Sequence, residues 1–186
     1  MRRVNVSRHM VASMFYLRDI PTNEVLQAHA QRYPGMSPAA CEAFLVLLRV
    51  ASDVLDGSEG YLSGHGLSQG RFTVLMILNR DPEAGLSPSD LAERAGVTRA
   101  TMTGLLDALQ GEGLVTRAAH PQDRRMLTVR LTEVGVRRLD EMLPEYFRRS
   151  GAVLGDLDEV DQRALVGLLR RVEARMGEMS REMSGE

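Results

Sequence analysis

Residues 86–135, LSPSDLAERAGVTRATMTGLLDALQGEGLVTRAAHPQDRRMLTVRLTEVG, decide the fold. Ser87-Pro88-x-Asp90 reads as a helix start, with a hydroxyl for an orphan amide, a proline whose φ is preset, and an acid near the N-terminal dipole. Leu91, Ala92 and Ala95 give that helix an apolar face, and Gly96 stops it. After one intervening residue, Thr98 caps a second helix with Met102, Leu105, Leu106 and Leu109 facing inward. Two short helices across a glycine-containing turn form a helix-turn-helix pattern. Gly111 and Gly113 close the second helix. Residues 114–117 (LVTR) and 126–131 (MLTVRL) then read as two short strands around a polar loop, AAHPQDRR. Helix-turn-helix, strand, basic loop and strand in that order predict a winged helix: mainly α, with a small β-wing.

That pattern points to nucleic acid. The outward side of the second helix carries Thr98, Arg99, Ala100, Thr101, Thr103 and Gly104, all small, hydroxylated or basic. Such side chains enter a major groove without clashing, and hydroxyls and guanidinium groups bond phosphates and base edges. Arg124 and Arg125 at the loop tip suit the narrower minor groove, with Asp123 placed to orient one of them. An ordinary solvated helix face and a solvated turn are the competing explanations for each feature alone. Both features in this order favour DNA, and the candidate contacts are Ser87, Thr98, Arg99, Thr101, Thr103, Gly104, Arg124 and Arg125.

The flanks read as helices with surplus apolar surface. Residues 1–36 form an N-terminal extension, with Val6, Met10, Met14 and Leu17 at helical spacing and a second helical piece over 23–33. Ser37-Pro38 opens an apolar helix over 38–56, through Phe44, Leu45, Leu47, Leu48, Ala51, Val54 and Leu55. A Gly-rich hinge is expected over 57–66, so 37–66 is a dimerisation helix and hinge, and 67–132 the DNA-binding region. Beyond Thr132 the helical period returns over 133–178, with Pro144 placed to kink or divide it and Asp158 capping a final helix. Leu165, Leu168, Leu169, Val172 and Met176 share one face of that helix. Residues 179–186 are expected to be a flexible tail. This surplus needs a second chain, which would set two reading helices on one face of a duplex, about one turn (~34 Å) apart.

Composition excludes much chemistry. The 186 residues include 23 basic and 25 acidic side chains, and every basic one is Arg, so lysine Schiff bases and Walker-type phosphate lysines are absent. The single cysteine, Cys41, allows no intrachain disulfide and no multi-thiolate zinc site. His9, His29, His65 and His120 are scattered, and neither G-x-S-x-G nor a strand-linked G-x-G-x-x-G occurs. No enzyme, cofactor or metal is expected. No apolar run approaches the ~18 residues of a membrane span, and the N-terminus lacks a signal-peptide core, so the cytoplasm is the expected compartment.

The central stretch resembles the MarR (multiple antibiotic resistance regulator) family of homodimeric winged-helix transcription factors. The matching pattern is Leu105, Leu109, Gly113, Leu114 and Val115, then Asp123-Arg124-Arg125, then Leu131, Thr132 and Gly135. The likeness extends more loosely over about 39–176. It implies that Thr98, Arg99, Thr101 and Thr103 face the major groove and that Arg124 or Arg125 enters the minor groove. Gly104 departs from the pattern, since many relatives carry a larger polar or basic residue there. Relatives typically repress genes and release DNA when a small aromatic or phenolic compound binds between the dimer helices and the wing domain. The matching region here would be lined by Tyr61, His65, Ser68, Arg71 and Phe72, with Arg71 holding a carboxylate. Some relatives sense peroxides through a cysteine near Cys41, but the expected tyrosine partners are out of register here, which favours a packed thiol. An oxidation sensor and a dimeric adaptor that no longer binds DNA are the alternative readings.

Overall fold

The computed structural model describes residues 18–82, 84–119 and 127–184. The chain divides into two compact units, Met1–Val136 and Arg137–Glu186. The expected helical spacing of Val6, Met10, Met14 and Leu17 lies outside the described residues, and the first element described is α1 (Asn23–Arg32), which packs on α2 (Pro38–Gly64) and buries Leu26. Helix α2 starts as its sequence dictates, with the Ala40 amide donating to Ser37 Oγ at 3.3 Å. It does not end at residue 56. The expected hinge is wrong, because Gly57 and Gly60 lie inside one 27-residue helix. Each internal glycine costs about 1 kcal/mol relative to alanine. Full burial of Leu62, worth about 1.5–3 kcal/mol, and bonds from Ser58 and Glu59 to the next helix hold the last turns in place. The chain turns only at residues 65–67.

Three helices follow around one core. They are α3 (Gln69–Leu78), α4 (Pro88–Ala95) and α5 (Arg99–Gly111). Phe72, Val74, Leu75, Ile77 and Leu78 of α3 are buried, as are Leu91 and Ala92 of α4 and Met102, Leu106 and Leu109 of α5. Each helix is capped by the residue its sequence offers: Ser68 accepts from Arg71 N, Ser87 from Asp90 N and Thr98 from Thr101 N. Gly96 ends α4 at φ 65°, a left-handed conformation that suits glycine, and Val97 N then bonds Ala92 O at 3.0 Å.

Strands β1 (Val115–Ala119) and β2 (Leu127–Leu131) pair antiparallel from Val115 opposite Leu131 to Ala119 opposite Leu127. Leu86 bridges Val129 on the far edge of β2, through bonds of 3.0 and 2.8 Å. The sheet is locked to α6 (Glu133–Val153) by Thr132. Its Oγ1 donates to Gly113 O at 2.6 Å and accepts from Gly135 N at 3.0 Å, while its own amide donates to Leu114 O at 3.1 Å.

In the second unit α6 continues past Pro144 without dividing, and Leu139, Met142 and Leu143 are buried. Helix α7 (Glu159–Ser184) is capped by Asp158, whose Oδ1 accepts from Asp161 N at 2.9 Å. It runs six residues beyond 178, so the expected flexible tail is helical as far as Ser184. Arg175 pairs with Glu178 and Glu182 at 3.0 and 3.2 Å, and Arg181 Nε donates to Gly177 O at 3.2 Å, contacts that support an exposed helix end. Large apolar side chains are left exposed on α2 (Phe44, Val50, Val54, Leu55) and on α7 (Val166, Leu168, Leu169, Val172, Met176). Among the described residues, no helix is long and apolar enough to cross a membrane.

Candidate nucleic-acid interface

Helix α5 presents the predicted surface. Thr98, Arg99, Ala100, Thr101, Thr103 and Gly104 are all exposed, while Met102, Leu106 and Leu109 on the opposite side are buried. Thr98 Oγ1 accepts from Thr101 N at 3.1 Å and shares a 2.9 Å hydrogen bond with Thr101 Oγ1. The helix therefore starts with an exposed pair of hydroxyls beside its positive dipole end. Thr103 Oγ1 donates back to Arg99 O at 3.0 Å, which fixes its rotamer. A Cβ on Gly104 would meet nothing within 4 Å, so no neighbour within the chain requires glycine there. Ser87 is half-buried and its hydroxyl serves the α4 cap.

Asp123, Arg124 and Arg125 lie outside the described residues. The base of their hairpin is anchored by a pair the sequence reading did not single out: Arg117 Nη2 of β1 donates to Asp107 Oδ1 of α5 at 2.6 Å. Arg117 is mostly covered and its Nε is buried without a partner, so the guanidinium is committed to joining β1 and α5. Asp107 precedes Arg117 by ten residues, across the turn at 111–114, and no local pattern announces the contact.

The region expected to meet an effector is the α2–α3 junction. Tyr61 and His65 lie ring to ring, with centroids 4.7 Å apart and planes tilted by 55°. Phe72 belongs to the core. Ser68 Oγ accepts from Arg71 N at 3.4 Å, and Glu59 Oε2 accepts from Gln69 N at 3.3 Å. A carboxylate from α2 thus already sits at the start of α3. Arg71 forms an ion pair with Glu112 at the C-cap of α5, and its Nη2 donates to Gly66 O at 2.6 Å. Glu59 and Glu112 were missed in the sequence because 10 and 41 residues separate each from its partner. Cys41 is a half-buried free thiol in the first turn of α2. Among the described residues, no cluster of His, Cys, Asp or Glu is arranged to hold a metal ion.

Comparison with known proteins agrees with this geometry. The MarR family model matches residues 67–127, the stretch from the start of α3 to the start of β2. The chain is 35% identical over 153 residues to the HTH-type transcriptional repressor YetL of Bacillus subtilis, covering 82% of this chain and 92% of that protein. The chain belongs to the MarR family. MarR proteins are transcriptional regulators and not enzymes. Among solved structures, the S. aureus MepR–DNA complex superposes with a TM-score of 0.64 over 71% of this chain and 94% of MepR, at 17% identity, a likeness of fold. BpsR of Bordetella bronchiseptica, described with a mechanism for regulation of its DNA binding by 6-hydroxynicotinic acid, superposes with a TM-score of 0.61 at 25% identity, over 69% of this chain and 90% of BpsR. The winged helix-turn-helix and the DNA-binding regulator class that the sequence implied are therefore those of a MarR protein.

Proposed function

We propose that this MarR protein is a dimeric repressor that reads a pseudo-palindromic duplex with α5 and the wing. The carrying observation is the exposed face at the start of α5, where Thr98, Arg99, Thr101 and Thr103 surround a capped helix N-terminus. Hydroxyls there bond phosphate oxygens and base edges, and Arg99 forks onto guanine. Arg124 or Arg125 enters the minor groove, oriented by Asp123, and Ser87 meets the backbone beside the start of α4. Gly104 leaves room for a close approach of the helix backbone to DNA. Apolar residues exposed on α2 and on α7 supply the surface that a second copy covers. Affinity selection from random duplexes, followed by footprinting and sedimentation, tests this reading. The expected result is a two-fold symmetric site protected by a dimer. A monomer at micromolar concentration, or failure to enrich any sequence, overturns it.

Release by an anionic aromatic compound at the α2–α3 junction is the accompanying proposal. The BpsR likeness supports the ligand class, since 6-hydroxynicotinic acid is an aromatic carboxylic acid. Tyr61 and His65 offer the ring contacts and Ser68 completes the lining, while Phe72 stays in the core. A carboxylate reaches Arg71 there by taking the place of Glu112. To act as an effector the compound must favour the DNA-incompetent arrangement, and a ~100-fold preference supplies about 2.7 kcal/mol per site. Titrating aromatic carboxylates against wild type and Arg71→Ala, by calorimetry and by release from the selected duplex, tests it. Unaltered ligand affinity in the variant removes Arg71 from the site, and no binding by any aromatic acid removes the ligand class. Cys41 is proposed to be a packed thiol with no part in the switch.

A further inference from the structure

We infer that Arg71 is a positioning residue for DNA reading: through Glu112 it fixes the angle at which α5 is presented, and so couples α5 to the α2–α3 turn. This inference rests on the DNA-binding reading above and concerns a residue with no place in the DNA interface.

Helices α3 and α5 pack through the shared core, and two contacts at the start of α3 add to that packing. The first is apolar and close: a Cβ on Gly70 would stand 3.2 Å from Leu105 Cδ2, so the helices nearly touch there. Apolar packing is non-directional, so the core resists separation of the helices more than a tilt of a few degrees between them. The second is the adjacent ion pair of Arg71 with Glu112, seven residues further along α5 than Leu105. Two turns separate the pivot from this strut, about 10 Å at 1.5 Å per residue. A polar pair at that distance restrains the angle that the pivot leaves soft.

The angle matters because the reading end is remote from the strut. Helix α5 has 13 residues. Thr98 lies seven residues before Leu105, about 10 Å from the pivot, so a tilt of ~6° moves it by about 1 Å. Hydrogen bonds to base edges tolerate only a few tenths of an ångström before they weaken. Phosphate attraction is far less sensitive to such a shift. Tilting α5 should therefore lower sequence discrimination before it lowers general affinity.

The other end of the strut reaches the turn that joins α2 to α3. Arg71 Nη2 holds Gly66 O at 2.6 Å. The end of α2 is in turn tied to α3 through Ser58 and Glu59, which bond Gln69 at 3.1 and 3.3 Å. A polar path thus runs from α2 through Gln69 and Arg71 to Glu112. Glu112 also has a local reason to need a cation, because an acid at a helix C-terminus opposes the dipole. Among the described residues, no basic residue close in sequence pairs with it. Arg71 is the side chain that does.

The test is a mutant cycle with Glu112→Gln, Arg71→Met and the double variant, measured on the wild-type selected duplex and on a scrambled duplex. Each single change should weaken binding to the selected duplex about three- to tenfold, the range for one partly covered ion pair with an attached carbonyl bond. Binding to the scrambled duplex should change less than twofold. The double variant should bind no more weakly than Arg71→Met, because one contact is lost once. Losses that multiply, or equal losses on both duplexes, overturn the inference and leave Arg71 with a general role in stability or charge. Thermal unfolding of each variant shows whether folding is intact, and Glu112→Asp, which keeps the charge, should recover most of the discrimination. If wild type enriches no duplex, the DNA-binding reading itself fails, an outcome distinct from a cycle that shows no coupling.

Discussion

Replacing Gly135 by alanine should damage the fold, while the same replacement at Gly104 should strengthen it. At Gly135 an added Cβ would lie 2.2 Å from Leu114 O, 3.1 Å from Leu114 C and 3.4 Å from Leu131 Cδ2. Ordinary C···O contacts are ~3.3 Å, so the start of α6 and the Leu114 turn must part by about 1 Å. The bonds across that gap are Thr132 N to Leu114 O and Thr132 Oγ1 to Gly113 O. Losing both costs about 2 kcal/mol, and overpacking adds ~1–3 kcal/mol. Alanine's better helix propensity returns about 1 kcal/mol. The expected net loss is therefore ~2–4 kcal/mol. At Gly104 the added methyl meets nothing within 4 Å, so only the propensity gain of about 0.5–1 kcal/mol remains. Urea unfolding at two protein concentrations, to separate dimer dissociation from unfolding, measures both. A Gly135→Ala protein within ~0.5 kcal/mol of wild type would refute the close-approach argument. On DNA, Gly104→Ala should bind more weakly despite its added stability if the helix backbone approaches the groove there.

Three further outcomes follow from the same geometry. Arg124→Ala with Arg125→Ala should weaken binding to all duplexes and flatten the slope of log K against log salt by up to ~4 per dimer, measured by titration at several salt concentrations. An unchanged slope with an intact fold would remove the wing from the interface. Thr98→Ala, which removes the hydroxyl that accepts from Thr101 N, should cost about 1 kcal/mol of stability and also weaken operator binding. Cys41→Ser should bind DNA and respond to the natural effector as wild type does, and loss of that response alone would identify an oxidation sensor.

The local signals in the sequence translated directly into structure. Ser37, Ser87, Thr98 and Asp158 each accept the amide that their position at a helix start predicts. The glycine at 96 makes the turn of the helix-turn-helix, and the two strands expected on either side of the polar loop pair from Val115 opposite Leu131 to Ala119 opposite Leu127. The misreadings came where distant contacts outweigh local propensity. Gly57 and Gly60 look like a hinge in isolation, yet burial of Leu62 and the Glu59–Gln69 bond carry α2 through them. The last turns of α7 look like a tail until the pairs of Arg175 are counted. At the candidate site the exposed face of α5 was legible because its cap and its small, polar outward side chains are local signals. Arg71 was read as the holder of an effector carboxylate, and its own carboxylate partner was not legible because Glu112 lies 41 residues away at the end of another helix.

That partnership also changes what the charge count means. Residues 86–133 hold six arginines and six acids, a balance that taken alone favours an adaptor over a DNA-binding protein. Asp107 is taken by Arg117, which removes one charge of each sign from the surface balance. Glu112 is taken by Arg71, a cation from outside the stretch, so that pair removes an acid alone. Five arginines then face four acids. Two of those acids, Asp90 and Glu133, lie in the first turns of α4 and α6, where helix dipoles offset part of their charge. Arg99 stands exposed at the start of α5, where the dipole adds to its charge. A chain with a net charge of −2 can thus offer phosphate a locally positive surface without a globally basic one. Arg71 contributes twice over, by setting the angle of α5 and by neutralising the acid at its far end.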